Sequence, residues 1–135
     1  MQFRGEYWFL SNMYPCTVKV GDWTFKCAEA AFQAAKCVYK EDIQKLTTTD
    51  GFTAKKFGRR VRLRSDWESI KTPVMLEIVS AKFEQNKELM DKLKRVTGII
   101  TEDNTWKDTF WGMYNGKGQN WLGKILMSVR DSAAK

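Results

Sequence analysis

The segment from Thr72 to Gly98 constrains the fold more than any other part of the chain. Thr72 is a good N-cap residue, and Pro73 would take the first helical position, where its missing N–H costs nothing. Met75, Ile78, Val79, Phe83, Met90 and Leu93 fall mostly on one stripe at helical spacing, and Thr97-Gly98 supplies a stop. At about 1.5 Å per residue such a helix runs roughly 30 Å, the width of a small domain. The rest of the chain is expected to pack around this scaffold.

The remaining patterns are shorter. Tyr7 to Cys16 reads as an irregular aromatic loop, and Thr17 to Phe25 as a short hairpin turning at Gly21-Asp22. Ala28, Ala31, Phe32, Ala35 and Tyr39 predict a helix over Ala28–Tyr39. Thr47 to Asp50 breaks regularity, and Gly51 leads into a short basic segment. Ile99-Ile100 predicts a brief strand, followed by a polar loop with Trp106, Asp108 and Trp111 and the turn Gly116-Lys117-Gly118. A last helix from about Trp121 presents Leu122, Ile125, Leu126 and Val129. No linker, repeat or low-complexity tract divides the chain, so the expected fold is α+β and mostly α-helical. It is read as a single compact domain over residues 1–135, with short strands near the N-terminus.

Composition narrows the chemistry. The 135 residues contain no histidine, which removes Ser-His-Asp and Cys-His catalysis and every imidazole metal ligand. Carboxylates, lysine, cysteine and hydroxyls remain. Cys16, Cys27 and Cys37 fit neither a CxxC pair nor a zinc pattern and read as reduced, packed thiols. No apolar run is long enough to span a bilayer and no secretory leader is evident, so a soluble, cytoplasmic protein is expected. A net charge of +7 favours an anionic partner, and six tryptophans suit a planar one.

Four clusters carry candidate chemistry. Glu29, Gln33 and Lys36 project from one side of the predicted first helix, either as a solvated polar face or as groups converging on a cleft. Lys55, Lys56, Arg59, Arg60, Arg62 and Arg64 form either a basic surface or a phosphate clamp, since Arg forks match phosphate oxygens. Gly118 to Ile125 nearly spells a phosphate-binding loop, but Ile125 stands where a metal-ligating hydroxyl belongs. Gly118-Gln119-Asn120 can still offer amides to an anion, or simply start the last helix. Trp106, Asp108 and Trp111 place a carboxylate among indoles in a loop, as an acid or base or as a packed cap.

The motifs, taken in order, resemble the NADAR, or YbiA-like, N-glycosidase family. Phe9-Leu10-Ser11-Asn12-Met13-Tyr14-Pro15 is similar to that family's opening segment. Glu29-x-x-Phe32-Gln33-x-x-Lys36, Ala54-Lys55-x-x-Gly58-Arg59, Asp66-Trp67, Val74-Met75, Lys82-Phe83-x-Gln85-Asn86 and Thr97-Gly98 continue the likeness. Asp108-x-x-Trp111-Gly112 and Gly118-x-Asn120-x-Leu122-Gly123-x-Ile125-Leu126-Met127-x-x-Arg130 complete it. Two positions depart from the family pattern: Ala30 and Ala31 stand where His and Tyr are common. Glu102 represents the acid usual ahead of the Trp–Asp segment.

The resemblance implies hydrolysis of a ribose–nitrogen bond in a phosphorylated ribosyl or ADP-ribosyl substrate. Family substrates include ribosylamino-pyrimidine phosphates of riboflavin synthesis and ADP-ribosylated guanine in nucleic acid. It also implies catalytic roles for Glu29, Lys36 and Asp108, with a Lys36 Schiff base as one route. Substrate contacts are expected from Ser11, Asn12, Gln33, Arg59, Trp67, Trp106, Trp111 and Asn120. No cofactor, metal, membrane or obligate protein partner is expected. The rival reading is a noncatalytic module that binds NAD, ADP-ribose or nucleic acid with the same surface.

Overall fold

Gly21, in the left-handed region at φ +59, closes the turn between β1 (Val18–Val20) and β2 (Trp23–Phe25). The strands pair antiparallel with Val18 opposite Phe25 and Val20 opposite Trp23, as the hairpin pattern predicts. In the computed structural model, which describes residues 1–134, these are the only strands, and helices make up most of the rest. The fold is α+β and mostly helical. Two compact units emerge, Asn12–Asn86 and a second made of Met1–Ser11 with the chain from Lys87 onward.

In the Asn12–Asn86 unit, α1 (Ala28–Ala35) packs against the hairpin and against α2 (Lys40–Leu46), α3 (Gly51–Gly58) and α4 (Trp67–Gln85). Its alanines explain that position: Ala28, Ala30, Ala31 and Ala34 are good helix formers, and their short side chains let neighbours approach on every face. The helix stops at Ala35, four residues before the expected end at Tyr39. Cys37 pairs instead with Leu63 in an isolated bridge, flanked by backbone bonds from Arg64 to Lys36 (3.0 Å) and Val38 to Arg62 (3.3 Å). Those bonds pull the chain off the helical path. The basic segment is helical, because the Asp50 carboxylate accepts the Thr53 N–H at 2.7 Å and caps α3.

The scaffold helix differs from its sequence pattern at both ends. It starts at Trp67, and Pro73 lies inside it. Trp67 is buried and the preceding Arg64 and Asp66 form a two-pronged pair at 3.0 Å, so the first turn is set upstream of Thr72. It ends at Gln85. Asn86 turns its amide back to the Lys82 carbonyl (2.8 Å) and across to Thr17 (2.9 Å), while Gln85 exchanges two bonds with Lys19. The apolar stripe thus belongs to two helices, α4 and α5 (Lys87–Arg95).

In the other unit, residues Gly5–Leu10 form a 3-10 helix where an irregular loop was expected, burying Phe9 and Leu10. The last helix, α6 (Trp121–Ala133), packs against α5 through Leu122, Ile125, Leu126 and Val129, the face anticipated from the sequence. Ile99-Ile100 forms no strand; Ile100 is buried while Ile99 is exposed. No described helix is long and apolar enough to cross a membrane.

One core position is a lysine. Lys82 on α4 is only 1% exposed, its ammonium 5.0 Å from the Phe83 ring and 5.9 Å from that of Tyr14. Burial pushes its amine down to about 8, against the opposing pull of Cys16 and Cys27. Between that value and the ordinary 10.5, the unfolded chain holds a proton that the folded chain has released, so stability rises with pH. Burial moves the three thiols upward from 9.0, Cys37 to about 11, and their effect has the opposite sign and is already developing between pH 8 and pH 9. The Lys82 contribution is therefore read as a difference: in urea denaturation under reducing conditions, the change in stability from pH 8 to pH 9 should be more positive in wild type than in Lys82→Met by about 1 kcal/mol. Equal changes in the two proteins would remove Lys82 as a source of pH dependence.

Candidate functional site

Glu29, Gln33 and Lys36 do not form a solvated face. Gln33 is 6% exposed, and its Nε2 donates to Glu29 Oε2 at 2.7 Å. Lys36 caps the end of α1 and is half-buried. Its amine is lowered chiefly by burial and further by Arg59, while Glu29 and Cys37 act to raise it. The first turn of α1 is set by Asn12, whose carbonyl accepts the Glu29 N–H at 2.9 Å. The Asn12 amide itself is buried against Met75 Sδ at 3.4 Å.

The end of α3 closes over this row. A Cβ at Gly58 would collide with Gln33 Oε1 and lie 3.1 Å from Lys36 Cε, so only glycine permits the approach. Arg59 follows as the α3 C-cap, exposed beside the lysine. Within one unit the structure thus brings together Glu29, Gln33, Lys36 and Arg59: a carboxylate, an amide, an amine of depressed basicity and a guanidinium. Arg60 and Arg62 are exposed, whereas Arg64 is engaged by Asp66. Trp67 is 7% exposed with its ring 5.1 Å from Phe32, so its indole serves the contact between α4 and α1.

The remaining sequence candidates lie in the other unit. Asp108 Oδ1 accepts the N–H groups of Phe110 (3.0 Å) and Trp111 (2.9 Å), the arrangement of an Asx turn. The Asn104 side chain clamps the Asp108 backbone, accepting its N–H at 3.1 Å and donating to its carbonyl at 2.9 Å. The same Asn104 amide reaches the buried Glu102 carboxylate at 3.1 Å. Trp111 stands edge-on to Phe110 with centroids 4.8 Å apart, and Trp106 is 58% exposed. Ser11 caps the 3-10 helix through its N–H to Trp8 (2.9 Å).

Asn120 takes a different role from the expected phosphate contact. It is buried in the left-handed region (φ 53), where Asn is tolerated. Its amide accepts from Glu102 N and donates to Ile100 O, both at 2.9 Å, tying the chain before α6 to the 100–102 strip. Both of its polar atoms are occupied by the fold. Sequence reasoning did not single out Asn104, Gly58 or Lys82 as site-forming. Gly58 and Lys82 lay inside quoted motifs, but nothing in their spacing marks a close approach or a buried amine. Asn104 sits four residues before Asp108 in a loop without periodicity.

A family model, the NADAR domain, matches residues 2–133. The N-glycosidase YbiA of Shigella boydii is 36% identical over 135 residues, covering 96% of this chain and 83% of that protein. A riboflavin biosynthesis protein of Vibrio vulnificus is 35% identical over 91% of this chain, which spans 35% of that longer protein. The NMR structure of YbiA from Escherichia coli superimposes with a TM-score of 0.86 at 32% identity, covering 99% of this chain and 84% of that one. The chain belongs to the NADAR domain family and is a hydrolase acting on N-glycosyl bonds.

The two buried bonds of Asn120 and its left-handed backbone set a stability cost. Asn120→Ala should lose about 2–4 kcal/mol in urea denaturation, through two broken buried bonds and a strained φ. A variant of wild-type stability whose only defect is weaker phosphate binding would reinstate the substrate role.

Proposed function

We propose that this chain hydrolyses the ribose–nitrogen bond of a phosphorylated ribosyl or ADP-ribosyl substrate, at the Glu29–Gln33–Lys36 row. Ribosylamino-pyrimidine phosphates and ADP-ribosylated guanine in nucleic acid are the two substrate classes. The observation that carries the reading is a carboxylate held by an amide at 2.7 Å on the same helix face as a half-buried lysine whose basicity is depressed. The riboflavin-related name of one relative supports the first class.

The chemistry follows from charge. Breaking an N-glycosidic bond places positive charge on C1 and O4′ of the sugar while the base departs. A hydrogen bond donated to Glu29 favours its ionised form, which stabilises that charge and accepts a proton from water adding to C1. Lys36 offers a second route. Burial favours its neutral form, and the free amine adds to C1 of the ring-opened sugar while the base leaves with a proton. Water then hydrolyses the iminium, returning the amine and releasing the sugar. Arg59, next to Lys36 and exposed, is the phosphate ligand.

Asp108 is proposed as a further carboxylate of the reaction on its local geometry alone, because the Phe110 and Trp111 N–H groups both fall on Oδ1. Exposed Trp106 and half-buried Ser11 and Trp111 are proposed as substrate contacts on their chemistry, and Asn12 and Trp67 as supports of the Glu29 row. The chain is taken to act as one NADAR domain in the cytoplasm, where its three thiols stay reduced.

Incubation with each substrate class, followed by mass spectrometry, should show the freed base with ribose phosphate from the first and ADP-ribose from the second. Glu29→Gln should slow release by at least about 100-fold, and Asp108→Asn is measured beside it. Full activity of the folded Glu29→Gln protein would remove the carboxylate from the reaction. Borohydride added during turnover should trap an adduct on wild type that Lys36→Ala lacks; an unlabelled wild type would leave the direct water route. Tight, salt-sensitive binding without cleavage of any substrate would favour the noncatalytic module.

A further inference from the structure

Gln33 carries an anomaly that its assignment as a substrate contact does not explain. Its Oε1 is buried, and among the described residues it has no hydrogen-bond partner. A buried carbonyl in that state costs stability, so its retention calls for a compensating use. Rotating the amide does not relieve it. In the reading that has Glu29 ionised the carboxylate accepts only, so the nitrogen faces Glu29 and the oxygen faces away.

The oxygen lies against Gly58, and the end of Lys36 lies close to the same spot. The same point above the Gly58 Cα that abuts Oε1 lies 3.1 Å from Lys36 Cε, one bond short of the amine. Gly58 therefore holds the amide oxygen and the lysine chain side by side. The amide is thus placed between the two groups on which the proposed chemistry rests, with its donor engaged and its acceptor unengaged.

We infer that Gln33 is a positioning residue linking the Glu29 carboxylate to the Lys36 amine, its Nε2–H orienting the one and its Oε1 accepting from the other when that nitrogen carries charge. This rests on the reading of Glu29 and Lys36 given above. An acceptor left unsatisfied in the resting fold and satisfied when charge develops is an interaction that strengthens along the reaction, which raises kcat and leaves KM unaffected. Gly58 is part of the same device, since any side chain there displaces the amide. Gln33 then contributes nothing to substrate affinity.

The test uses the full-length protein with ribosylamino-pyrimidine phosphate and ADP-ribosylated guanine in DNA as probes, whichever is turned over. Gln33→Met keeps the length of the side chain and removes both polar atoms. It should lower kcat by about 30-fold or more with KM within about threefold, the pattern of an interaction made only in the transition state. Its melting temperature should equal or exceed that of wild type, because the orphaned oxygen has gone. Gly58→Ala, which cannot touch substrate through its methyl without first moving Gln33, should show the same kcat-against-KM split. A raised KM with unchanged kcat in Gln33→Met would make Gln33 a substrate contact and overturn the inference. A parallel fall of melting temperature and activity in Gln33→Met would make its role structural and overturn it equally. Glu29→Gln runs alongside. If it is inactive while Gln33→Met and Gly58→Ala keep wild-type kcat, only the positioning role fails; if it is fully active, the site reading fails with it.

Discussion

The burial of α1 on every side is the constraint on which the Asn12–Asn86 unit depends. A helix of eight residues is too short to persist on propensity alone, so it exists because the hairpin, α2, α3 and α4 enclose it. Enclosure requires small residues, and the alanines supply them. It also presses polar side chains on that helix to find partners within the fold: Glu29 and Gln33 bond to each other, and Gln33 Oε1 stays unpaired among the described residues. The same packing that stabilises the helix buries Gln33 and half-buries Glu29 and Lys36, the row proposed for the chemistry.

Charge in this unit is handled by desolvation more than by pairing. Lys36 and Lys82 are both driven towards the neutral amine chiefly by burial, one half-buried at the site and one at 1% exposure in the core. Each costs stability at neutral pH. In Lys36, Arg59 adds to that cost, and the lowered basicity is what the proposed Schiff-base route draws on. The other unit solves a different problem. Its loop from Glu102 to Asn120 has little regular structure, and side-chain amides from Asn104 and Asn120 take the place of a ladder, fixing Asp108 and the start of α6.

Elements whose information is local were readable from the sequence. The hairpin follows from alternation around Gly21-Asp22, and α6 follows from its apolar face. The family emerged from the ordered motifs, and with it the convergence of Glu29, Gln33 and Lys36. What was not readable depends on contacts between distant residues. The early end of α1 is decided by the bridge to Leu63, and the break between α4 and α5 by Asn86 reaching Thr17. The 3-10 helix at Gly5–Leu10 has no period long enough to detect. Asn120 and Trp67 are expected as substrate contacts from the family resemblance, and spacing gives no sign that the fold also binds the first as a tether and packs the second against Phe32. Glycine 58 shows the general difficulty: its meaning lies in what touches it.

The central claim is that the Glu29 row carries out hydrolysis at the anomeric carbon. Turnover of ribosylamino-pyrimidine phosphate in ¹⁸O-labelled water tests it most directly, with both products weighed by mass spectrometry. Addition of water to C1, whether directly or to a Lys36 iminium, places the label on the sugar phosphate and none on the departing base. That is the predicted result, and Glu29→Gln should form almost no labelled sugar. Label found on the base, or labelled sugar formed equally fast by Glu29→Gln, would contradict the account.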